Sequence, residues 1–444
     1  MKALLYAYGS RGDVQPYLAL AHAMVKAGHE VMLAGPESFA PLAARYGIEY
    51  FPRSEELLDF YYNDPDVADW LRNQGHDYRA TAKIRNRALT KLGEYMAPRF
   101  PEMLKELSDA ADQFGPDMII QSYEMWPWEE AHHVAEKLDV PYAVATLFPN
   151  VVPNWTYPVK FVPPHWRLPG VVSRLTYELP RLVRPVGYRD IADWRHRVLG
   201  LPERKGVHPL RTVDGKPVPV VHGFSSRLVP EAKGWPPNSR TTGFWFLPTP
   251  PSFEPDPELV RFLDSGSKPV CVTFGTVRGT DPRRAGELVV EAVRRAGTRA
   301  VVIKSRGSIE IPAPPADVFV TDDVPYPWLL PRVAAVVHAA GVGTVNEALR
   351  AGVPQVACPV HNEQASWAMR AHAIGVAPRP IRNRDLESDN LAQAIRTATN
   401  DPEIARRAEE HGAAVRQETG AATAAMVLEQ VYKQQVTAGV SGAR

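Results

Sequence analysis

The chain has 444 residues, 51 Lys and Arg against 50 Asp and Glu, a formal net charge of +1, and 45% hydrophobic residues. These values are typical of a globular protein of two or three domains, and they exclude a disordered chain, a coiled coil and a charged-tail protein. Without a net basic field, we expect no nucleic-acid partner.

Two further features concern the cellular compartment. Cys271 and Cys358 lie in apolar runs, which indicates reduced core thiols rather than a disulfide framework. The N-terminal segment 1–13 has neither the length nor the cleavage site of a signal peptide, and no run of about 18 apolar residues predicts a membrane span. We therefore expect a cytoplasmic protein without a membrane span, either a monomer or a homodimer.

The first third of the chain alternates apolar runs with helical periodicity, which is typical of parallel βαβ units. A run that ends at Gly9 predicts the first strand, and the stretch from about 78 to 112 is predicted to be mostly helical. The other predicted elements are helices near 14–27, 41–46 and 127–138 and strands near 31–35, 48–51, 118–120 and 142–145.

The segment from about 148 to 255 has a different composition. Twenty of the 43 prolines fall between Pro141 and Pro255, together with five of the ten tryptophans. Because proline fixes φ and removes a ladder donor, we predict irregular loop structure there, apart from a helix near 186–199. The aromatic side chains either line an apolar pocket or pack on one another as a surface excursion.

The βαβ alternation restarts at residue 269 and continues to the C-terminus. Proline clusters place a linker near 236–256. We therefore predict an α/β protein of two similar domains. Strands are predicted at 269–275, 300–304, 318–321, 334–338 and 355–358, with helices near 283–296, 344–351, 363–374, 389–399, 401–418 and 421–435.

The strongest motif is VVHAAGVGTVNEALRAGVPQVACP at residues 336–359. A buried strand ends at His338, Gly341 and Gly343 permit a tight turn, and a helix begins near Thr344. The amides and the positive dipole of such a helix start suit a phosphate or a diphosphate. The spacing matches neither a P-loop nor a Rossmann dinucleotide fingerprint, and a plain strand–turn–helix remains the alternative.

Two weaker signals suggest metal ions. Asp64-Pro65-Asp66 is a DxD sequence without a preceding apolar strand, so a solvated turn is favoured. His132 and His133 lie near Glu136, but adjacent helical residues point about 100° apart. We expect no metal site.

Several segments resemble the GT-B glycosyltransferases that use nucleoside-diphosphate sugars and modify lipophilic natural products and sterols, a UDP-glycosyltransferase-like family that includes glycopeptide glycosyltransferases. The resemblance is carried by residues 336–359, by 324–331 (VPYPWLLP), by 9–16 (GSRGDVQP) and by 362–364 (NEQ). It covers nearly the whole chain, and 60–115 and 150–250 match only vaguely.

The resemblance implies a fold and a division of labour. The fold is GT-B, with two Rossmann-like, doubly wound domains that face a central cleft. Residues 1–235 would form the acceptor-binding domain, 236–256 the linker and 257–420 the donor-binding domain. Residues 421–444 would form a helix that crosses back to the first domain. The co-substrate would be a UDP- or dTDP-linked sugar, with no cofactor and no metal.

The resemblance also implies donor contacts. Val324 matches the segment that meets the nucleoside, and Glu347 matches a carboxylate that binds the ribose hydroxyls. Thr276 matches a hydroxyl that touches phosphate. The residues that would hold the diphosphate through amides and a hydroxyl are Gly341, Val342, Gly343 and Thr344.

Further matches concern the sugar and the acceptor. Glu363 and Gln364 match the pair that holds the sugar hydroxyls, although Glu363 replaces a commoner Asp. Asp13 matches a proposed general base, and it also suits a cap for a helix beginning near Val14. The acceptor-side residues would be Ser10, Arg11 and Gly12.

One departure affects the diphosphate site. Ala339 stands where the family usually has a diphosphate-binding histidine, and His338 lies one residue earlier. On a strand, one residue is a change of face. His338 is therefore either a donor ligand or a core imidazole, and in the second case the amides at 341–344 must hold the diphosphate with Thr344 and Thr276.

The sequence thus predicts an inverting, metal-independent glycosyltransferase that moves a sugar to a hydroxyl of a small lipophilic acceptor. Two alternatives remain. One is a nucleotide-sugar epimerase of the same architecture, against which the aromatic segment argues because an epimerase needs no acceptor pocket. The other is a non-catalytic nucleotide-sugar binder, favoured by Ala339.

Overall fold

The computed structural model describes most of the chain. The described residues are 1–73, 81–124, 130–159, 162, 168–178, 188–202, 210–211, 215–275, 281–305 and 308–442.

The described part of the first half contains a sheet of seven parallel strands in the order β3-β2-β1-β4-β5-β6-β7. Its central strands are buried on both faces, as expected for a parallel sheet covered by helices. The strands are β1 (Lys2–Tyr6), β2 (Glu30–Pro36), β3 (Glu49–Arg53), β4 (Met118–Ser122), β5 (Tyr142–Thr146), β6 (Val220–His222) and β7 (Ser239–Thr241).

Helices cover this sheet. Their buried faces join two apolar clusters, one on each side of the strands. The helices are α1 (Arg11–Lys26), α2 (Ala40–Ala44), α3 (Glu56–Asn63), α4 (Pro65–Asn73), α5 (Ala82–Met96), α6 (Phe100–Phe114), α7 (Ala131–Leu138), α8 (Gly170–Leu175) and α9 (Tyr188–Asp193), which continues into a π-helix at Trp194–Val198.

The second half contains a five-stranded parallel sheet in the order β10-β9-β8-β11-β12. Its strands are β8 (Val270–Thr273), β9 (Ala300–Ile303), β10 (Val318–Thr321), β11 (Ala335–His338) and β12 (Gln355–Ala357). Its helices are α10 (Pro257–Asp264), α11 (Pro282–Ala296), α12 (Tyr326–Leu329), α13 (Val342–Ala351), α14 (Asn362–Ala373), α15 (Ser388–Asn400), α16 (Pro402–Arg416) and α17 (Gly420–Gly442). The predicted α/β class with two parallel sheets is confirmed.

The structure differs from the sequence prediction in the proline-rich region. The three-residue strands β6 and β7 extend the first sheet beyond β5. In chain order, helix α8 follows β5 and precedes β6. Strands this short show no alternation of apolar and polar residues, so their period could not be recognised. Strand β7 lies inside the stretch 236–256 that the sequence assigned to the linker.

The last helix packs against the first unit. Helix α17 contacts α1, β5 and β6, and the side-chain oxygen of Gln435 accepts a hydrogen bond from the amide of Tyr142 at 3.1 Å. Just before this helix, the hydroxyl of Ser225 donates to Glu418 at 2.6 Å. These contacts connect the end of the chain to the first sheet.

The two cysteines are reduced and buried, as the sequence predicted. Burial raises the pKa of both Cys271 and Cys358 to about 12. Both thiols are therefore protonated near neutral pH, and neither has the character of a reactive nucleophile.

Candidate active site

The candidate residues lie at the carboxyl ends of the strands. In each sheet the order reverses beside the first strand, between β1 and β4 and between β8 and β11. Open parallel sheets bind ligands at such switch points. The predicted Asp13 loop follows β1, and the predicted 341–344 turn follows β11, so both occupy these positions.

The two helix starts that follow β1 and β11 face each other. A Cβ atom built on Gly12 would lie 3.9 Å from Cγ1 of Val342, the first residue of α13. Arg11 of α1 also reaches the second unit, where its Nη1 donates to Asp323 Oδ1 at 2.8 Å. The loop after β1 and the turn after β11 therefore lie close together, as a cleft between the two predicted domains requires.

Asp13 is held by the residue that caps its own helix. Helix α1 begins at Arg11, not near Val14, so Ser10 is the N-cap and Asp13 lies in the first turn. The amide and the hydroxyl of Ser10 each donate to Asp13 Oδ2 at 2.8 Å. Gly9 has φ +140°, and a Cβ atom there would lie 2.6 Å from Oδ2, so this close turn requires glycine.

Two tyrosines of α3 lie close enough to Asp13 and Glu363 to interact with their charges. Burial is the main cause that raises the pKa of Tyr61 and Tyr62 above the ordinary value, and the charges of Asp13 and Glu363 raise both further. Tyr62 also forms a hydrogen bond with Ser10. Both phenols therefore remain neutral near pH 7.

Neither tyrosine was identified from the sequence. Residues 60–62 read Phe-Tyr-Tyr, one residue beyond the buried pair Leu57 and Leu58. Aromatic residues at the end of an amphipathic helix that precedes Pro65 were the signal available in the sequence.

The start of α13 has the features of an anion site. Gly341 is the N-cap, and no side chain caps the helix. The first amide that bonds within the helix is that of Val345, which donates to Gly341 at 3.0 Å, so the amides of 342–344 lack intrahelical acceptors. A Cβ atom built on Gly341 or Gly343 would meet nothing within 4 Å, which leaves room beside these amides.

His338 belongs to the core. It is 1% exposed, and its Nδ1 accepts a hydrogen bond from the amide of Ala340 at 2.9 Å. Its Nε2 therefore carries the proton and donates to Gln355 Oε1 at 3.0 Å. Burial lowers its pKa to about 4, so the ring is neutral.

The role of His338 follows from these bonds. Ala340 has φ +62°, an uncommon backbone conformation for a residue with a Cβ atom. The hydrogen bond from its amide to His338 stabilises the turn that leads into α13. With both ring nitrogens engaged, His338 matches the core alternative rather than the diphosphate ligand.

Hydroxyl groups line the donor side of the cleft. The hydroxyls of Tyr326 and Thr273 lie 3.2 Å apart, and Tyr326 also forms a hydrogen bond with Thr344. Burial raises the pKa of Tyr326, so its hydroxyl keeps its proton. Val324 is buried beside α12. Thr276, the other predicted phosphate contact, lies outside the described residues.

The carboxylate predicted for the ribose has a local partner. Glu347 Oε2 accepts from Arg350 Nη2 at 2.6 Å, and burial raises its pKa to about 7 against the attraction of that guanidinium. Glu347 therefore titrates near neutral pH and can either donate or accept a hydrogen bond.

The predicted sugar-binding pair lies at the start of α14. Glu363 is exposed, whereas Gln364 is buried. Gln364 Oε1 accepts from the amide of Val360 at 2.8 Å, which leaves its NH2 group as the end available to a ligand. Of this pair, only the exposed Glu363 has a carboxylate.

Part of the aromatic region reaches the second unit. Trp235 stacks on His222 with centroids 4.5 Å apart. The Arg370 guanidinium of α14 lies 4.7 Å from the centroid of Tyr157, and Phe148 lies 6.0 Å from Trp367. Trp166, one of the five tryptophans in the proline-rich segment, lies outside the described residues.

The sequence did not predict a buried carboxyl group that lies close enough to Asp13 to interact with its charge. Glu124, after β4, accepts from Leu147 N at 2.7 Å and from the hydroxyl of Tyr17 at 2.7 Å. Burial raises its pKa to about 7, and the charge of Asp13 adds to the rise. Because the contact joins residues far apart in sequence, no local pattern indicates it.

The DxD sequence lies at the start of α4. Asp64 caps α4, where its Oδ1 accepts from Asp66 N at 2.9 Å. Asp66 pairs with Lys91 at 2.5 Å and with Arg87 at 2.8 Å on α5. Asp66 therefore joins α4 to α5 through ion pairs, whereas the sequence predicted a solvated turn.

The adjacent histidines lie closer than the sequence predicted. The rings of His132 and His133 are 4.0 Å apart, and both approach Glu130. However, Arg195 Nη1 lies 2.7 Å from His133 Nδ1. Since the guanidinium can only donate, His133 Nδ1 is the acceptor and Nε2 carries the proton in this arrangement. Arg195 also pairs with Glu136 at 2.7 Å. The absence of a metal ion at these residues stays a prediction.

No helix among the described residues is both long enough and apolar enough to cross a membrane.

Comparison with known proteins identifies the family. Residues 3–89 match the glycosyltransferase family 28 N-terminal domain, and residues 288–430 match the erythromycin biosynthesis protein CIII-like C-terminal domain. The chain is 33% identical to O-mycaminosyltylonolide 6-deoxyallosyltransferase of Streptomyces fradiae, with both chains covered completely.

Two more distant proteins are also glycosyltransferases. A sterol 3-beta-glucosyltransferase of Arabidopsis thaliana is 31% identical over 96% of this chain and 64% of its own length. The crystal structure of the glycosyltransferase VinC in complex with dTDP superposes with a TM-score of 0.64 at 20% identity, covering 98% of this chain and all of that chain. The chain belongs to the UDP-glycosyltransferase-like family of GT-B glycosyltransferases.

Proposed function

We propose that this glycosyltransferase is inverting and metal-independent, and that it moves a sugar from a UDP- or dTDP-linked donor to a hydroxyl of a lipophilic natural product. The observation that carries the proposal is the placement of Asp13 opposite the start of α13, with Gly12 and Val342 in the facing walls. A proton acceptor and an anion site thus share one cleft.

The names of the relatives support the chemical class. The Streptomyces fradiae relative acts on a macrolide, O-mycaminosyltylonolide, by its name, and the Arabidopsis relative acts on a sterol. VinC was crystallised with dTDP. Residues 1–235 would bind the acceptor and residues 257–420 the donor. The aromatic side chains of Tyr157 and Trp235 supply apolar surface on the acceptor side.

The reaction would be a single displacement. The acceptor hydroxyl transfers its proton to Asp13 while its oxygen attacks the anomeric carbon. The bond between that carbon and the phosphate oxygen breaks, and the nucleoside diphosphate leaves with the electron pair. Attack from the face opposite to the leaving group inverts the anomeric configuration.

The protein would stabilise the leaving group without an ion. The amides of 342–344 and the hydroxyl of Thr344 would donate to the developing negative charge, and the positive end of the helix dipole would stabilise that charge further. These donors are ordered before the reaction, since His338 and Gln355 hold the preceding turn.

The test is a product assay on the full chain. Nucleotide sugars with UDP and dTDP are each combined with macrolide aglycones and sterols in EDTA, and glycosides are detected by mass spectrometry. The anomeric configuration of the product follows from its proton NMR coupling constant. We expect an inverted glycoside with EDTA present. A retained configuration, or turnover that EDTA abolishes, would contradict the mechanism, and donor isomerisation without transfer would indicate an epimerase.

A further inference from the structure

A cross-cleft ion pair joins the first residue of α1 to the loop after β10. Nη1 of Arg11 donates to Oδ1 of Asp323 at 2.8 Å. Asp323 directly precedes Val324, which the sequence places at the nucleoside. Arg11 therefore extends from the first unit into the donor side, although the sequence assigned it to the acceptor.

The ion pair is weak enough to be exchanged. The side chains of Arg11 and Asp323 are 46% and 57% exposed, and pairs this exposed contribute no more than about 1 kcal/mol. The Nε of Arg11 donates separately to Gln15 Oε1 at 2.8 Å, one turn further along α1. Gln15 therefore keeps the guanidinium in position when Asp323 is displaced.

The surroundings of Arg11 are those of a phosphate site. Gly12, the next residue, faces Val342 at the start of α13. Tyr326, which bonds to Thr344, lies near enough to Arg11 to interact with its charge. The guanidinium thus lies beside the hydroxyls and the helix start that the proposed function assigns to the diphosphate.

Arg11 would add a cation to the helix-start amides that the proposed function assigns to the diphosphate. A guanidinium binds phosphate oxygens in a bidentate manner and is always charged, which suits a group whose negative charge grows during the reaction.

We propose that Arg11 is a donor-site residue whose guanidinium exchanges Asp323 for the diphosphate of the nucleotide sugar. This inference rests on the proposed function, since it presumes that a nucleoside diphosphate occupies the cleft. In the empty cleft Asp323 neutralises Arg11, and on binding the diphosphate replaces it. After transfer, Asp323 competes for the same guanidinium and promotes release of the nucleoside diphosphate.

The experiment measures equilibrium binding by calorimetry, with UDP and dTDP as probes and uridine and thymidine as uncharged controls. The variants are R11Q, D323N, the double variant R11Q/D323N, and R406Q as a matched control. Arg406 lies in an exposed ion pair on α16, 2.8 Å from Glu403. Thermal melting of each variant establishes that it is folded.

We expect R11Q to weaken diphosphate binding about tenfold or more and to leave nucleoside binding unchanged, since a charge-assisted pair is lost. D323N should tighten diphosphate binding severalfold, because the competitor is removed. This gain should vanish in R11Q/D323N, and R406Q should bind like the wild type.

Three results would overturn the inference. If R11Q binds the diphosphates as the wild type does, Arg11 is not a donor-site residue, and the proposed function stands. If D323N tightens binding equally with and without Arg11, Asp323 acts by its charge alone. If the wild type binds neither diphosphate, the proposed function fails and this inference fails with it.

Discussion

The hydroxyl and the amide of Ser10 both donate to a single oxygen of Asp13, Oδ2, at 2.8 Å. A carboxylate that accepts two such bonds at the start of a helix keeps one orientation toward the cleft. The Gly9 turn makes this close approach possible, and Tyr62 bonds to the same serine.

Replacing Ser10 by Ala removes the hydroxyl bond to Asp13 and leaves the amide bond. We predict that kcat falls about tenfold, since a hydrogen bond to a charged group contributes about 1.5 kcal/mol. The KM for the donor should change little, because Ser10 lies on the opposite wall. Steady-state kinetics measures both, and S10T, which keeps a hydroxyl, should retain most of kcat. A change confined to KM would count against this role.

Replacing His338 by Ala should destabilise the protein without a matching loss of donor binding. The variant removes two buried hydrogen bonds and creates a cavity, at a cost of roughly 2–4 kcal/mol. Q355A removes the hydrogen bond between Gln355 and His338 and should also lower the free energy of unfolding. Denaturant unfolding measures the stability, and calorimetry with UDP measures the binding. Weakened binding with unchanged stability in H338A would instead mark the ring as a ligand.

Glu347 provides a test of nucleoside recognition. If its carboxylate binds the ribose hydroxyls, E347A should weaken UDP binding about tenfold, at the upper range of a buried hydrogen bond. The effect on dTDP should be smaller, because the 2′-hydroxyl is missing there. E409Q on α16 removes an exposed carboxylate paired with Arg416 and is the control. Equal losses for the two nucleotides in E347A would argue against ribose contact.

Glu124 predicts a pH dependence of stability. Burial raises its pKa in the folded state from 4.5 to about 7, so the folded protein holds this proton more tightly than the unfolded chain does. Its contribution to stability is therefore complete below pH 4.5 and is lost as the pH rises through about 7.

The comparison with E124Q isolates this group, because Glu347 also titrates near neutral pH in both proteins. The free energy of unfolding of the wild type should fall more steeply than that of E124Q between about pH 5 and pH 8. Denaturant titrations across this range measure both slopes. Parallel slopes would show that Glu124 does not titrate there.

Much of the fold was predictable because the strands are apolar runs bounded by glycine turns. The loops at Gly9 and at Gly341 also identified both walls of the cleft, since ligand sites follow the carboxyl ends of parallel strands. Helices α3 and α4 were missed because Asp64-Pro65 is both a turn signal and a helix start, with Asp as the cap and Pro in the first turn.

The remaining site residues depend on contacts between distant parts of the chain. The sequence left two roles open for His338, and its hydrogen bond to Gln355, 17 residues later, favours the core role. The ion pair of Arg11 with Asp323 could not be predicted, because the two residues lie 312 positions apart in the sequence. Local patterns predict elements and their ends, whereas partners across the cleft require the three-dimensional structure.

The most direct test of the account is the rate of glycoside formation by D13N under saturating donor and acceptor. Asn has nearly the same shape as Asp and can still accept hydrogen bonds from Ser10, but it is not a base. We predict a loss of kcat of about a thousandfold, within the range for general base catalysis, with diphosphate binding and melting temperature near those of the wild type. A kcat within a few-fold of the wild-type value in D13N would show that Asp13 is not the general base.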